Sequence, residues 1–199
     1  MSTKRVVELG CGGAQNAIAL AKQGAHAIGI DISSAQLDFA RKLIASEKVT
    51  VELHRGDAAD LAFISANSVE LVLSTNVFNE IEDIGRVLRQ THRILARNGL
   101  LVISVPHPAK GVVDGRSYFE SGPTIEVRDD VSFTCYPRTI SDLYTNISRA
   151  HFEIDMIVEP QHSAREDTSA GSTKTRQKAK SVQPLVPETL ILRARKLGI

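Results

Sequence analysis

Close to its start the chain passes from a short β-branched stretch, Val6-Val7-Glu8-Leu9, straight into Gly10-Cys11-Gly12-Gly13, and then into a segment whose Ile18 and Ala21 share one helix face. This succession of strand, glycine turn and helix limits the fold more than any other feature. Glycines let the backbone turn tightly and approach a ligand, and the helix start presents unpaired amides. Gly24 closes the helix, and Ala25 to Ile30 is a second apolar run ending at Asp31. Ser33 with Gln36 predicts a capping box for a helix that turns Leu37, Ala40 and Ile44 inward. A βαβ unit is complete within about 30 residues.

The alternation continues. Val49 to Leu53 reads as a third strand and Val69 to Ser74 as a fourth. Ile81, Ile84, Leu88, Thr91 and Leu95 trace a helical stripe for which Asn98-Gly99 is the C-cap signal, and Leu100 to Val105 is a fifth strand that Pro106 interrupts. Five strand-helix steps predict an α/β fold with a Rossmann-like, doubly wound parallel sheet, because parallel strands need right-handed crossovers. Beyond Val105 the character changes. Residues 106–137 contain Pro106, Pro108, Pro123 and Pro137 and a hairpin pattern of Ile125-Glu126-Val127 against Val131-Ser132-Phe133, an insertion expected to cover something. Thr139 with Asp142 predicts a capped helix through Ala150, and Phe152–Val158 and Thr189–Ala194 are the last two strands. Between them, 163–181 holds five Lys/Arg against two Asp/Glu and almost no large apolar side chain, which predicts a flexible surface loop. At 199 residues the chain 1–199 reads as a single domain.

Composition narrows the class of function. The formal charge is +1, so the basic excess of a general nucleic-acid binder is absent. Cys11 and Cys135 form no CxxC pair and read as reduced thiols of an intracellular protein. No apolar run approaches the ~18–20 residues of a membrane span, and no signal peptide is legible, so the expectation is a cytoplasmic protein without a membrane partner. Neither a metal-ligand spacing among the histidines nor a GxSxG nucleophile motif is present, so no metal is expected.

The glycine turn is joined by Asp31, about 20 residues on, where a carboxylate can accept both hydroxyls of a ribose. Together they imply an adenosine-containing ligand. A dinucleotide would want a third glycine where Gln15 stands. Glu8 and the Asp57 of Gly56-Asp57-Ala58-Ala59-Asp60 instead suit a ligand with an amine at one end and an adenine amino group at the other. His107, in Val105-Pro106-His107-Pro108, follows the fifth strand at the carboxyl edge, where such sheets bind ligands, and is the candidate base for an acceptor that must lose a proton. Tyr118, Arg138 and Tyr144 are candidates for the wall of an acceptor pocket. Each has a plainer reading: Asp31 as a solvated strand end, Asp57 as a turn former, His107 as part of a rigid surface bend, and the other three as packing or surface residues.

Four ordered segments, Val7 to Gly13, Gly29 to Ser33, Arg55 to Ala58 and Leu95 to Leu101, resemble the motifs of class I S-adenosylmethionine-dependent methyltransferases of the small-molecule branch. The stretches Pro137 to Asp142 and Glu159 to Gln161 are similar to the C-terminal part of the same proteins. The resemblance implies a sheet order of 3-2-1-4-5-7-6 with the last strand antiparallel. It implies S-adenosylmethionine as cofactor, with Gly10, Cys11 and Gly12 facing its methionine part, Asp31 the ribose and Ile32 one face of adenine. Asp57 would accept from the adenine amino group beside the Ala58 amide, and Asn76 would line the methionine side. The partner it implies is a small-molecule methyl acceptor, methylated at O, N or C. Ala14 replaces a common third glycine, Pro137 a frequent histidine, and few residues precede the first strand where relatives usually carry helices. With the basic 163–181 segment, this last departure motivates the alternative of a non-catalytic, methyltransferase-like subunit that binds a protein partner.

Overall fold

The computed structural model describes residues 4–128, 130–161 and 185–198, so the loop expected at 163–181 lies outside the described residues. In chain order the elements are β1 (Arg5–Leu9), α1 (Gln15–Lys22), β2 (His26–Asp31), α2 (Ser34–Glu47), β3 (Val51–Arg55), β4 (Val69–Thr75), α3 (Ile84–Ile94) and β5 (Leu95–Pro106). They are followed by α4 (Lys110–Val113), β6 (Thr124–Arg128), β7 (Val131–Cys135), α5 (Ile140–Arg149), β8 (Phe152–Val158) and β9 (Thr189–Lys196).

Seven strands form one sheet in the order β3-β2-β1-β4-β5-β9-β8, and β6 with β7 forms a separate hairpin. Numbered among themselves, the seven read 3-2-1-4-5-7-6, as expected. Strands β1 to β5 pair in parallel, and β9 is antiparallel to both β5 and β8. The central β1 is apolar on both faces because a parallel strand is covered on both sides. Its Val6 belongs to a layer of mostly short side chains, among them Cys11, Ala17, Ala27 and Ala40, beneath α1 and α2. Val7 and Leu9 belong to a bulkier layer with Ile30, Val72, Leu88 and Ile147, beneath α3 and α5.

Two expectations about local structure are corrected. The crossover from β3 to β4 contains no helix: residues 56–68 run through turns. Short polar side chains there bind their own backbone, as when Asp57 Oδ1 accepts from the Ala59 amide at 2.8 Å and Ser68 Oγ donates to the Ser65 carbonyl at 2.7 Å. Leu61 and Ile64 still plug the core, held by the Arg93 guanidinium, which donates to their carbonyls at 2.6 and 2.9 Å. Asn98-Gly99, in turn, caps no helix. The helix α3 ends at Ile94, Leu95 is already extended and pairs with Val69, and the ladder resumes with Leu100 opposite Leu71. Asn98 takes a left-handed conformation (φ 61°) in the extra stretch this leaves in β5. A Cβ on Gly99 would lie 2.9 Å from the Ala96 carbonyl, so that bulge selects glycine. The caps fare better: Thr139 and Asp142 form the reciprocal box at α5, and Ser33 Oγ accepts from the Gln36 amide at α2.

Candidate active site

The carboxyl ends of β1 and β2 bring the glycine turn and Asp31 together. Gly10 (φ 63°) and Gly12 (φ 49°) occupy the left-handed region, and a Cβ on Gly10 would lie 2.1 Å from Val77 Cγ2. Here glycine is required both by conformation and by close approach. The Gly12 amide donates to Asp31 Oδ2 and the Ser33 amide to Oδ1, each at 2.8 Å. Asp31 is therefore more than a solvated strand end: it joins the glycine turn to the start of α2. A carboxylate offers about four lone-pair positions, so two remain for hydroxyl donors. Next to it Ile32 is 70% exposed, an apolar side chain that nothing in the described chain covers. Asp57, exposed, forms the turn at the end of β3 with its Oδ1, and Ala58 beside it is half-buried.

Glu8 and Cys11 sit deeper than the sequence implies. Glu8 is buried, with Oε1 accepting from Asn16 Nδ2 and Oε2 from the Ala17 amide, both at 2.8 Å. The carboxylate thus holds the first turn of α1, whose N-cap Ala14 has no side-chain cap of its own. Burial pushes the Glu8 carboxyl above its ordinary range, against the two hydrogen bonds. Cys11 packs its sulfur against β2, where a Cβ on Gly29 would lie 2.9 Å from Sγ, and its amide donates to the Ile30 carbonyl. Burial, with the Glu8 and Asp31 charges, pushes its thiol up to about 12, so it stays protonated and unreactive.

Beyond Asn76, at the carboxyl ends of β4 and β5, a cavity of about 680 Å3 opens under the 106–137 insertion. Asn76 is exposed and left-handed (φ 59°), and its amide donates to the Ser104 carbonyl. It lies on the cavity wall just past β4 and adjoins Val77, which packs at Gly10. Tyr118 and Arg138 line the cavity, together with Phe78, Asn79 and Tyr136. Tyr144 is not on its wall and stands exposed.

The insertion is anchored at both ends. At its start His107 is 6% exposed; its Nε2 pairs with Glu159 Oε1 at 2.9 Å, its Nδ1 accepts from the Ala109 amide at 3.1 Å, and its own amide donates to the Glu188 carbonyl. An Nδ1 that accepts leaves the proton on Nε2, facing a carboxylate. His107 lines the cavity, and in this arrangement both of its ring nitrogens are engaged within the protein. At the other end Arg138 donates to four carbonyls, those of Phe78 and Tyr136 from one nitrogen and those of Ile81 and Glu82 from the other, at 2.5 to 3.1 Å. Burial lowers its pKa, opposed by Asp142 and Tyr136, but a guanidinium surrounded by carbonyl oxygens stays charged. Sequence reasoning missed Asn79 and Glu159, whose roles depend on contacts between distant segments. Among the described residues no His/Cys/Asp/Glu group could hold a metal ion, and no helix is long and apolar enough to cross a membrane.

A seven-stranded sheet with one antiparallel strand, a glycine turn at the end of its central strand and an acid at the end of the next define a class I methyltransferase fold. Residues 7–103 match the family described as a methyltransferase domain. The chain is 28% identical over 100 residues to a ubiquinone biosynthesis O-methyltransferase of Azorhizobium caulinodans, covering 50% of this chain and 39% of that protein. It spans about two fifths of the length of the first such relatives. A structure from Listeria monocytogenes aligns with a TM-score of 0.78 over 99% of this chain and 91% of that one, at 22% identity. An S-adenosylmethionine dependent methyltransferase of Mesorhizobium loti aligns with a TM-score of 0.72 over 98% and 92%, at 21% identity.

The residues at the turn fit S-adenosylmethionine. A Cβ added at Gly56 meets nothing within 4 Å, and one at Gly12 makes only an ordinary contact with Gln36 Oε1 at 3.6 Å, so the groove beside these turns is open at Gly56 and has room at Gly12. Asp31 borders it with lone pairs to spare, and Ile32 offers an uncovered apolar surface.

Proposed function

We propose that residues 1–199 act as one methyltransferase domain that moves a methyl group from S-adenosylmethionine to an O, N or C nucleophile of a small molecule. The observation that carries this reading is that the glycine turn abuts the cavity: a Cβ on Gly10 would touch Val77, whose neighbours Asn76 and Phe78 line the space of about 680 Å3. That volume lies within the roughly 300–1,000 Å3 of ordinary small-molecule sites.

Bound in the groove, S-adenosylmethionine supplies a methyl group already activated by its positively charged sulfur. The chain's residues have the remaining tasks. Asp31 holds the ribose hydroxyls, Ile32 covers one face of adenine, and Asp57 with the Ala58 amide meets its polar edge. The Gly10 to Gly12 backbone lies along the methionine part, with Cys11 filling the space behind it and Glu8 fixing the helix start. Asn76 borders the passage to the acceptor. The insertion keeps water from the acceptor and fixes its approach, and such alignment contributes up to ~7–11 kcal/mol to a two-body reaction. With both nitrogens of His107 engaged, alignment rather than a histidine base carries the rate, and the proton that an O–H or N–H acceptor releases passes to bulk water after transfer.

Calorimetry on this chain with S-adenosylmethionine, S-adenosylhomocysteine and NADH, followed by a search for S-adenosylhomocysteine release on hydroxylated and amino-bearing metabolites, tests the proposal. Adenosyl ligands are expected to bind and NADH to bind at least tenfold more weakly. Preference for NADH, or no adenosyl binding at all, overturns the assignment; binding without turnover on any acceptor moves it to the non-catalytic, partner-binding alternative.

A further inference from the structure

The cavity meets the insertion along a strand edge that the fold leaves unpaired. The hairpin of β6 and β7 is a two-stranded sheet of its own, so among the described residues β6 has β7 on one side and no strand on the other. Its register runs from Thr124 opposite Cys135 to Arg128 opposite Val131. With two residues in the loop, Arg128 and Val131 exchange the closing pair of main-chain hydrogen bonds, and such pairs recur at every second residue. Glu126 and Thr124 therefore bond to β7, whereas the N–H and C=O groups of Ile125 and Val127 point away from it. Among the described residues none of these four groups has a hydrogen-bond partner.

A ligand can reach them. Ile125 and Val127 are each 66% exposed, and both belong to the cavity wall with Glu126 between them. Neighbouring side chains of a strand point to opposite faces, so a wall that takes in three consecutive residues follows the edge of β6 and not one of its faces. From β7 only Cys135 joins that wall. Two N–H donors and two C=O acceptors spread over about 6.6–6.8 Å are what an extended peptide pairs with when it adds a strand. Pro123 stands directly before β6, and an outward edge of two residues is too short for stable pairing with another sheet. About three residues of an extended peptide, in contrast, meet all four groups. We infer that the free edge of β6 binds the methyl acceptor by its main-chain amides, and that the acceptor is a short peptide, or a small molecule built from peptide bonds, lying extended beside Ile125 and Val127. This inference rests on the methyltransferase reading and names the class of small molecule that its acceptor site takes.

The test uses calorimetry on the intact chain, with and without saturating S-adenosylhomocysteine. The probes are acetyl-Val-Tyr-Val-amide and the same peptide with every backbone amide N-methylated, which cannot donate. Val127→Pro removes one outward N–H and leaves the ladder to β7 untouched, while Val127→Thr changes the side chain and keeps the edge. In the parent and in Val127→Thr the peptide is expected to bind at least about fivefold more tightly than its N-methylated form, and in Val127→Pro that preference falls below about twofold. Amide exchange followed by NMR on the parent needs no variant: the peptide should slow exchange at Ile125 and Val127 by at least about tenfold. Equal binding of the two peptides by the parent, an unchanged preference in Val127→Pro, or exchange at those amides that ignores the peptide overturns the inference. So does slowing that follows protein concentration without peptide, which makes a second copy of the chain the occupant. Calorimetry of S-adenosylhomocysteine on the parent keeps the two readings apart: loss of that binding is a failure of the methyltransferase reading, whereas a missing peptide preference with S-adenosylhomocysteine bound is a failure of the β6 edge alone.

Discussion

Around Asp31 the decisive contacts run from one short side chain to backbone amides, Gly12 and Ser33, whose places follow from the ends of β1 and β2. Around Arg138 they run from one long side chain to the carbonyls of Phe78, Ile81 and Glu82, more than fifty residues away in the chain. The groove half is thus built from local turns at strand ends and tolerates little change in backbone conformation. The cavity half is a separate insertion fastened onto the sheet by a few side chains, and its parts can loosen without loss of the sheet. Substitutions on the two sides should accordingly separate global stability and cofactor affinity from acceptor handling.

The largest effect is expected at Gly10. Gly10→Val adds left-handed strain and a clash with Val77, together about 2–5 kcal/mol, and closes the turn. Urea unfolding should show that loss and calorimetry no adenosyl binding; a fully stable, binding variant would remove the glycine turn from the groove half. Arg138→Met should follow, leaving three or four carbonyls without a donor at about 2–4 kcal/mol. Hydrogen exchange should speed up in 78–82 and 124–136 while adenosyl affinity changes less than twofold, and equal loosening around Asp31 would show that the halves are not independent.

Asp31→Ala should weaken adenosyl binding by about 1.5–3 kcal/mol, the range for hydrogen bonds to a charged group. Because the carboxylate also receives Gly12 and Ser33, roughly 1 kcal/mol of fold stability should go with it. Normal affinity would return Asp31 to a purely structural role. His107→Gln should lower turnover by less than about tenfold, below the 10²–10⁴ typical of a general base, and should leave the pH profile without a lost limb near neutrality. A hundredfold loss with unchanged folding would restore the base. The smallest effect concerns pH. The Glu8 carboxyl is raised above its unfolded value by burial, so its contribution to stability is fully present in acid and is lost as pH rises through the raised value. Glu8→Gln should flatten this slope just above the ordinary carboxylate range, and an identical slope in both proteins would mean that the group is solvated.

How far each half is legible in the sequence follows from the same contrast. Gly10, Gly12 and Asp31 are readable because a turn at a strand end depends on the residue types within a few positions, and a βαβ unit fixes their separation. The order of the sheet was readable for a similar reason, through the ordered motifs. The β3–β4 crossover was not: its Leu61 and Ile64 are spaced like one helix face, and only the self-binding of Asp57, Asp60 and Ser68 keeps it in turns. At Asn98-Gly99 the signal for a left-handed residue was sound, but it marks a bulge as well as a helix end. His107 looked exposed at a carboxyl edge because its partner Glu159 is 52 residues away.

The Arg138 contacts also bear on how such a protein diversifies. Every oxygen its guanidinium binds belongs to the main chain, so side chains in 78 to 82 that the core does not hold can change while the fastening persists: Asn79 on the cavity wall is such a position, and Phe78, buried in the core, is not. Drift at these positions alters the chemistry of the cavity wall without first unseating the insertion. New acceptor preferences then become reachable through single substitutions that keep the protein folded.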